Sequence, residues 1–265
     1  MTIDYRNYQN CNHDVIECYK QQRTNQTYDF VKYAINKYCK FNNKSSFWEL
    51  FDKLKNFRDL SDPDITLTNH HHLFQTAEGI RKDGCPEWMQ LVGLIHDLGK
   101  ILYLKGCDKD GTSMLKQWSI VGDTYVVGCK IPKHIIFPEF NKLNLDMNDS
   151  RYNTKNGIYP KKHGLNNVYC SFGHDEYLYR LLKYNNVSLP IQAFYMIRFH
   201  SLYLWHKENQ YSNLEDDVDK KMKPWVKLFN NYDLYTKEDI ESDELKLREY
   251  YSRIVNKYLP KELWW

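Results

Sequence analysis

Three polar residues interrupt an apolar segment near the middle of the chain. In LVGLIHDLGKILYL, residues 91–104, leucine, isoleucine and valine surround His96, Asp97 and Lys100. An unpaired carboxylate or imidazole is costly to bury, so these groups need a partner inside the protein. Imidazole nitrogens and carboxylate oxygens are ligands of first-row transition metals. The segment therefore predicts a buried metal site, with Lys100 one helical turn after His96 and facing the same cavity.

Further histidines and aspartates interrupt other helical patterns along the chain. A single histidine on an apolar helix is more often a hydrogen-bonded core residue, but repeated interruptions favour convergence on one shared partner. Neighbouring His96 and Asp97 point about 100° apart on a helix, so both reach one ion only if Asp97 also leans toward a second. The pattern predicts an aspartate that bridges two ions, and the lack of thiolate ligands argues against a structural zinc site. The other candidates are His72, His174 with Asp175, His200 and Asp233.

The elements that must position these residues are predicted to be mainly α-helical, in a single domain covering residues 1–265. Ser46 and Glu49 have the spacing of a capping box, Gly84 is typical of a helix end, and Pro86 suits the first turn of the next helix. The segment 105–170 is a long connection with a β-like stretch at 120–129, and residues 1–26 are a candidate lid. Helices are predicted at 27–38, 45–57, 71–84, 86–104, 171–185, 191–206, 225–237 and 242–259.

Composition excludes several classes of partner. The chain has 37 Lys and Arg against 34 Asp and Glu, interspersed, so a basic surface for nucleic acid is not expected. Its longest apolar stretch is shorter than the roughly 20 residues of a membrane span, and the N-terminus lacks the layout of a signal peptide. The seven cysteines include no C-x-x-C pair and are predicted to be reduced. A cytoplasmic protein that binds neither nucleic acid nor membrane is expected.

The order H…HD…H…D resembles the HD-domain superfamily of helical metalloproteins, most of which are phosphohydrolases. More specific segments resemble the myo-inositol oxygenase family over nearly the whole chain. They are FQTAEGIRK (74–82), LVGLIHDLGK (91–100), GHDEYLY (173–179), AFYMIRFHS (193–201) and YDLYTK (232–237).

This resemblance implies a single-domain helical HD-domain-like fold with long connecting loops. It also implies a monomeric enzyme with two iron ions, one ferrous and one ferric, that cleaves the ring of myo-inositol with O2 to give D-glucuronate. The resemblance implies Asp97 as the bridging ligand and Lys100 as a catalytic residue that stabilises an alkoxide. One iron would be bound by His72, His96, Asp97 and Asp233, and the other by His174, His200 and Asp97.

The family's substrate contacts also map onto this chain. A neutral polyol is recognised through many hydrogen bonds, and the matching residues are of types that make them. They are Arg6, Asp59, Ser61, Lys100, Gly122, Asp123, His200, Ser201 and Lys237.

Some residues depart from the pattern or have no role in it. The triplet at 70–72 leaves the register open on composition, and His72 is chosen because it precedes LFQTAEGIRK, which makes His70 and His71 surface residues. Segment 107–116 is longer than the family's usual connection, and Asp175 is assigned a structural hydrogen bond. The expected non-ligands are His13, His134, His163 and His206.

Two alternatives stay open at this stage. The first is an HD-type metal-dependent phosphohydrolase, in which Lys100 would hold phosphate, although the acidic segment 59–64 would repel it. The second is a metal-stabilised binding or regulatory module without turnover, which predicts loss of the catalytic side chains, whereas Lys100 and Arg6 are present.

Overall fold

The computed structural model describes residues 8–63, 68–235 and 243–265, which form a mainly α-helical domain. This confirms the predicted fold class. The α-helices are α1 (His13–Asn25), α2 (Tyr28–Tyr38), α3 (Phe47–Lys53), α4 (Asn69–Lys82), α5 (Glu87–Ile95), α6 (His174–Tyr184), α7 (Ile191–Phe199), α8 (Tyr203–His206), α9 (Asp217–Tyr235) and α10 (Glu244–Tyr258). Short 3₁₀ helices lie at Leu54–Asn56, Leu98–Lys105, Asp108–Asp110, Pro138–Leu143, Leu145–Asn148 and Leu165–Asn167.

The strands described are β1 (Lys44–Ser45) and β2 (Leu263–Trp264), which pair antiparallel. Around the core, α4 packs against α5, α5 against α7, and α7 against both α6 and α9. The 3₁₀ helix Leu98–Lys105 packs against α6. The predicted ligands lie on these elements. No helix in the described part is long and apolar enough to cross a membrane.

Side-chain caps explain where several helices begin. The Thr27 side chain accepts a hydrogen bond from the Phe30 amide at the start of α2. The predicted capping box at α3 is confirmed, because the Ser46 side chain accepts from the Glu49 amide and the Glu49 side chain accepts from the Ser46 amide.

The motif helix differs from the prediction of one helix over 86–104. α5 ends at Ile95, and the chain continues as the 3₁₀ helix Leu98–Lys105. The cause is local: His96 Nδ1 donates to the Gly93 carbonyl over 2.9 Å, the carbonyl that would accept from the Asp97 amide if the α-helix continued. Asp97 then has φ −96° and ψ 0°, which turns its side chain away from a regular helical direction.

The β-like stretch at 120–129 is not a strand, and that prediction was wrong. It contributes one isolated bridge, between Val126 and Cys170. Left-handed φ values at Gly122 (93°) and Gly128 (80°) bend the chain, so it cannot run straight beside a partner. Tyrosine hydroxyls take part of the role of a sheet partner: Tyr159 Oη donates to the Val127 carbonyl over 2.8 Å.

Two helices differ from the prediction: α9 begins earlier than predicted, and α1 was not predicted. α9 begins at Asp217, not after Pro224, because Asp216 Oδ1 accepts from the Val218 and Asp219 amides and starts the helix upstream. Pro224 then lies inside α9. Within the candidate lid, 13–25 form α1, whose Tyr19 is buried. The sequence of α1 is too polar to show a clear apolar face, and residues 1–7 lie outside the described part.

Candidate metal centre

Five segments that are distant in the sequence bring the six predicted ligands together. They are the first turn of α4 with His72, the end of α5 with His96 and Asp97, the first residue of α6 with His174, the end of α7 with His200, and the last turn of α9 with Asp233.

Two ligand groups share Asp97. His72, His96 and Asp97 form one group, and Asp97, His174 and His200 form the other; within each, the ligand atoms lie within 4.8 Å of one another. Asp97 Oδ1 is 3.1 Å from His174 Nε2, whereas Asp97 Oδ2 faces His96 Nε2 at 3.9 Å. One carboxylate therefore presents one oxygen to each group.

Asp233 completes the first group from α9. Its Oδ1 atom lies 2.9 Å from His72 Nε2 and 3.1 Å from His96 Nε2. The resulting groups contain only imidazole and carboxylate donors, which suits a first-row transition metal.

Hydrogen bonds to the backbone orient three of the histidines. His96 Nδ1 donates to the Gly93 carbonyl and His200 Nδ1 to the Ile197 carbonyl, both over 2.9 Å and both three residues back along the chain. His174 Nδ1 donates to the Ile120 carbonyl over 2.6 Å. Since a carbonyl only accepts, Nδ1 carries a proton in each ring, and in the neutral form of the ring the lone pair of Nε2 faces inward.

The inward-facing nitrogens fit a bound cation. His174 Nε2 and His200 Nε2 lie 3.0 Å apart, so two lone pairs meet there unless a proton or a metal ion lies between them. His96 Nε2 is buried and, despite its closeness to Asp233, makes no hydrogen bond of acceptable geometry. Buried imidazole nitrogens of this kind need a positively charged partner, which a metal ion supplies to all of them at once.

The electrostatics keep both carboxylates and His200 in their ligand forms, whereas Asp97 and Asp233 outweigh burial and raise the pKa of His96, and Asp97 outweighs burial and raises the pKa of His174. Burial opposes ionisation of Asp97, but Lys100 and His96 outweigh it and hold its pKa well below the usual range. His96 and His72 likewise hold the pKa of Asp233 well below its usual range against the effect of burial. Burial, followed by the neighbouring His174 and His96, lowers the pKa of His200 to about 3. Both carboxylates are thus anionic and His200 is neutral at physiological pH.

Lys100 is buried beside the centre. Its Nζ donates to Asp97 Oδ2 and to Asp59 Oδ2, each over 2.8 Å, and to Asn69 Oδ1 over 2.9 Å. These bonds use all three hydrogens of the ammonium group. Burial disfavours the charged form, but Asp59 and Asp97 outweigh it and raise the pKa of Lys100.

Comparison with known proteins gives the same family that the motifs resemble. A family model described as myo-inositol oxygenase matches residues 12–265. The chain belongs to the myo-inositol oxygenase family. It is 43% identical to an inositol oxygenase of Dictyostelium discoideum over 99% of this chain and 90% of that protein. It is 45% identical to the inositol oxygenase of Mus musculus and 44% identical to that of Homo sapiens, in each case over 95% of this chain and 86% of the relative.

The substrate positions that the family suggests fall into two described places. Asp59 and Ser61 lie beside Lys100, with Ser61 Oγ donating to Asp59 Oδ1 over 2.6 Å. The second place is around Ser201, which follows the candidate ligand His200. The Ser201 carbonyl accepts from the Thr124 amide over 2.9 Å, and Thr124 follows Gly122 and Asp123 in the sequence. Asp123 Oδ1 accepts from the hydroxyl of Tyr19 on α1. The remaining two, Arg6 and Lys237, lie outside the described residues.

Several supporting residues were not identified from the sequence as parts of the site. His206 Nε2 and Asn230 Nδ2 both donate to the His200 carbonyl over 3.0 Å, and Asn69 holds Lys100. The predicted hydrogen bond of Asp175 is confirmed, since Thr124 Oγ1 donates to its Oδ2 over 2.7 Å. His70 and His71 were expected at the surface but are half-buried, because α4 packs its first turn against neighbouring segments.

Proposed function

We propose that this protein is an inositol oxygenase that converts myo-inositol and O2 into D-glucuronate and water. The observation that carries the proposal is the pair of ligand groups that share the buried carboxylate of Asp97. The reaction balances: one ring C–C bond breaks, the substrate gains one oxygen atom of O2 and loses two hydrogen atoms, and these leave with the other oxygen atom as water, so that four electrons pass from the substrate to O2. No organic cofactor is required for this stoichiometry.

We propose two iron ions, one ferrous and one ferric at the start, as the metals. His72, His96, Asp97 and Asp233 would hold one ion, and His174, His200 and Asp97 the other, with fewer protein ligands and thus open positions. When bound, the iron pair supplies the redox chemistry that connects O2 reduction to substrate oxidation. Four imidazoles with two carboxylates and no thiolate are compatible with this assignment.

Lys100 and Asp97 are the proposed catalytic residues. Asp97 Oδ2 accepts from Lys100 and also faces His96, so of the three hydrogen bonds of Lys100 the one to Asp97 would be weakened by a metal held in the first ligand group. The freed N–H is then available to a substrate oxygen, while Asp59 and Asn69 keep the ammonium in place. A fixed positive charge there stabilises the alkoxide that forms when an inositol hydroxyl loses its proton.

The remaining contacts and properties are proposals of the same kind. Substrate hydrogen bonds are assigned to Arg6, Asp59, Ser61, Lys100, Gly122, Asp123, His200, Ser201 and Lys237. We also propose a monomer in the cytoplasm. The phosphohydrolase alternative is disfavoured because the carboxylates of Asp59 and Asp97 lie beside Lys100 and would repel a phosphate.

The test is an oxygen balance on the iron-loaded protein. Protein reconstituted under argon would be given myo-inositol with and without air, and glucuronate and O2 uptake would be measured together. We expect one glucuronate to form for each O2 consumed. Under argon, the glucuronate formed should not exceed the residual O2 in the solutions. Equal product with and without air would overturn the oxygenase proposal. Phosphate release from nucleotides, with no glucuronate, would favour the phosphohydrolase.

A further inference from the structure

Asn69 is a buried polar residue that is assigned neither to the ligands nor to the substrate contacts above. It begins α4, three residues before His72, and is 2% exposed. Its side chain lies against the catalytic lysine, with Oδ1 accepting from Lys100 Nζ over 2.9 Å.

The contact with Lys100 determines which way the amide points. An ammonium group only donates hydrogen bonds, so the Asn69 oxygen must face Lys100 and the nitrogen must face away from it. That nitrogen, Nδ2, carries two hydrogens, is buried, and finds no acceptor in the part of the chain that is described. Buried amide nitrogens are seldom left without an acceptor, so one is expected from a bound molecule.

A neutral amide also suits this position electrostatically. Lys100 already faces the carboxylates of Asp59 and Asp97. A third carboxylate in place of Asn69 would change the net charge of this cluster, ammonium included, from −1 to −2, whereas the amide adds an acceptor without adding charge. Asn69 thus holds Lys100 while leaving its positive charge available.

We propose that Asn69 is a substrate-binding residue: Nδ2 donates to a hydroxyl oxygen of myo-inositol while Oδ1 holds Lys100. This inference rests on the proposed function, because a polyol beside Lys100 is what provides the acceptor. It assigns one amide to two tasks, so a single substitution can separate them.

The principal variant is Asn69→Asp, which has nearly the same shape. It keeps an oxygen for Lys100 and replaces the donor Nδ2 by an acceptor. Binding of myo-inositol to the iron-loaded protein would be measured by calorimetry under argon, so that no turnover occurs. We expect the Kd to rise about 10- to 100-fold, as expected when a hydrogen bond to substrate is lost and a buried acceptor is left facing it. Metal content should stay at the wild-type level.

A series of monodeoxy-inositols distinguishes direct contact from a structural effect. In the wild type, the analogue that lacks the hydroxyl contacted by Asn69 should bind about 10-fold more weakly than myo-inositol. In Asn69→Asp that same analogue should bind within about 2-fold of myo-inositol, since the contact is already lost. If Asn69→Asp does not fold, Asn69→Ala is used in the same comparison.

The matched control is Asn144→Asp. Asn144 is equally buried, but its Nδ2 donates to the Arg23 and Gln26 carbonyls, so its loss should leave the Kd for myo-inositol unchanged in folded protein. Because a hydroxyl can also donate to a carboxylate, an unchanged Kd in both Asn69→Asp and Asn69→Ala, or a Kd raised equally for every deoxy analogue, would overturn the role of Asn69. Wild-type protein that binds no myo-inositol would instead remove the proposed function itself.

Discussion

Helices α6 and α7 are joined by two buried pairs of polar residues that behave in opposite ways. His174 faces His200 in one pair, and Glu176 faces Arg198 in the other, so that the pairs lie two positions apart along each segment. All four side chains are nearly fully buried. The pairs therefore share the same two chain segments and a similar degree of burial, but they differ in chemistry.

The Glu176–Arg198 pair is closed. Arg198 Nε donates to Glu176 Oε2 over 2.7 Å, and its Nη atoms donate to the carbonyls of Asn166 and Val168. Burial raises the pKa of Glu176, but Arg198 and Arg180 outweigh it and lower the pKa below the usual value. Opposite charges that satisfy each other and the backbone need nothing from outside.

The His174–His200 pair is open by the same criteria. Both Nδ1 atoms are used by the backbone, and the two Nε2 atoms meet at 3.0 Å beside the anionic Asp97. No arrangement of the two neutral rings satisfies both nitrogens. Burial of polar groups alone therefore does not identify a metal site. What identifies this one is a pair of imidazole nitrogens whose lone pairs point at one another and require an added positive charge.

The largest expected effect comes from Asp97→Asn, which removes the carboxylate shared by both groups. We expect loss of bound metal at both positions and loss of turnover greater than the roughly 10- to 100-fold typical of residues that only support ligands. Elemental analysis and glucuronate formation measure the two effects. The control is Asp175→Asn, in the second His-Asp doublet. Burial raises the pKa of Asp175, and the Asp175→Asn protein should keep its metal. Full metal content in Asp97→Asn would contradict the bridging assignment.

The closed pair should matter for stability and not for metal. Glu176→Gln leaves the Arg198 guanidinium buried without a counter-charge, and we expect a loss of about 3–5 kcal/mol in the free energy of unfolding. Urea denaturation measures it. Arg180→Gln, which removes the more exposed partner of Glu176, should cost at most about 1 kcal/mol. If Glu176→Gln lost metal but no stability, the Glu176–Arg198 pair would be supporting the metal centre, and the two pairs would not act independently.

Unlike Glu176→Gln, Lys100→Met should lower activity more than stability. The methionine keeps much of the side-chain volume but none of the charge. We expect kcat to fall about 10²- to 10³-fold, the range seen when one group that stabilises a developing oxyanion is removed. Metal content should stay near the wild-type level. Lys105→Met, at the far end of the same 3₁₀ helix, is the control and should retain wild-type kcat. An equal fall in kcat in both variants would point to loosening of this helix as the cause.

The pH dependence of stability should report on the closed pair. The lowered pKa of Glu176 means that its contribution is fully present above its unfolded pKa of about 4.3 and is lost as pH falls through the folded value. The difference in unfolding free energy between wild type and Glu176→Gln should therefore be constant near neutral pH and shrink below about pH 4.3. Denaturation series on metal-free protein from neutral to acidic pH would measure this; a difference independent of pH would contradict the ion pair.

The smallest effect is expected at Thr124, between the two pairs. Thr124→Val removes the hydroxyl that donates to Asp175 and should cost about 1–3 kcal/mol in unfolding free energy, the penalty of one unsatisfied buried acceptor. Thr124→Ser keeps the hydroxyl and should lose less. Thermal unfolding of both variants would show the order. Reversal of that order would mean that packing of the methyl group, and not the hydrogen bond, is what matters.

Local signals in the sequence predicted much of the helical framework. Capping at Ser46 and the positions of α2, α4 and α10 depend on neighbours a few residues away, which a sequence shows directly. The prediction was wrong where side chains from elsewhere intervene. The stretch 120–129 has the composition of a strand, but tyrosine hydroxyls from distant segments satisfy part of its backbone, so no sheet is needed.

The candidate ligands show the same division. Residue types nominated the candidate ligands, the family resemblance selected six of them in a chain with ten histidines, and the structure brings those six together. The motif helix was predicted to run through Asp97, whereas it ends at Ile95 because the imidazole of His96 takes the Gly93 carbonyl. The bond from His96 to the Gly93 carbonyl is local and turns Nε2 inward. Which other ligands Nε2 meets depends on where α4, α7 and α9 lie.

The amino-acid sequence specifies the chemical groups available to this protein: imidazoles, carboxylates and one lysine in apolar surroundings, in an order that resembles one enzyme family. The packing of the helices pairs Glu176 with Arg198, leaves His174 facing another imidazole, and places Asn69 against Lys100. The reason is that hydrogen bonding within one turn is encoded by adjacent residues, whereas distances between side chains far apart in the chain are set by how the helices pack.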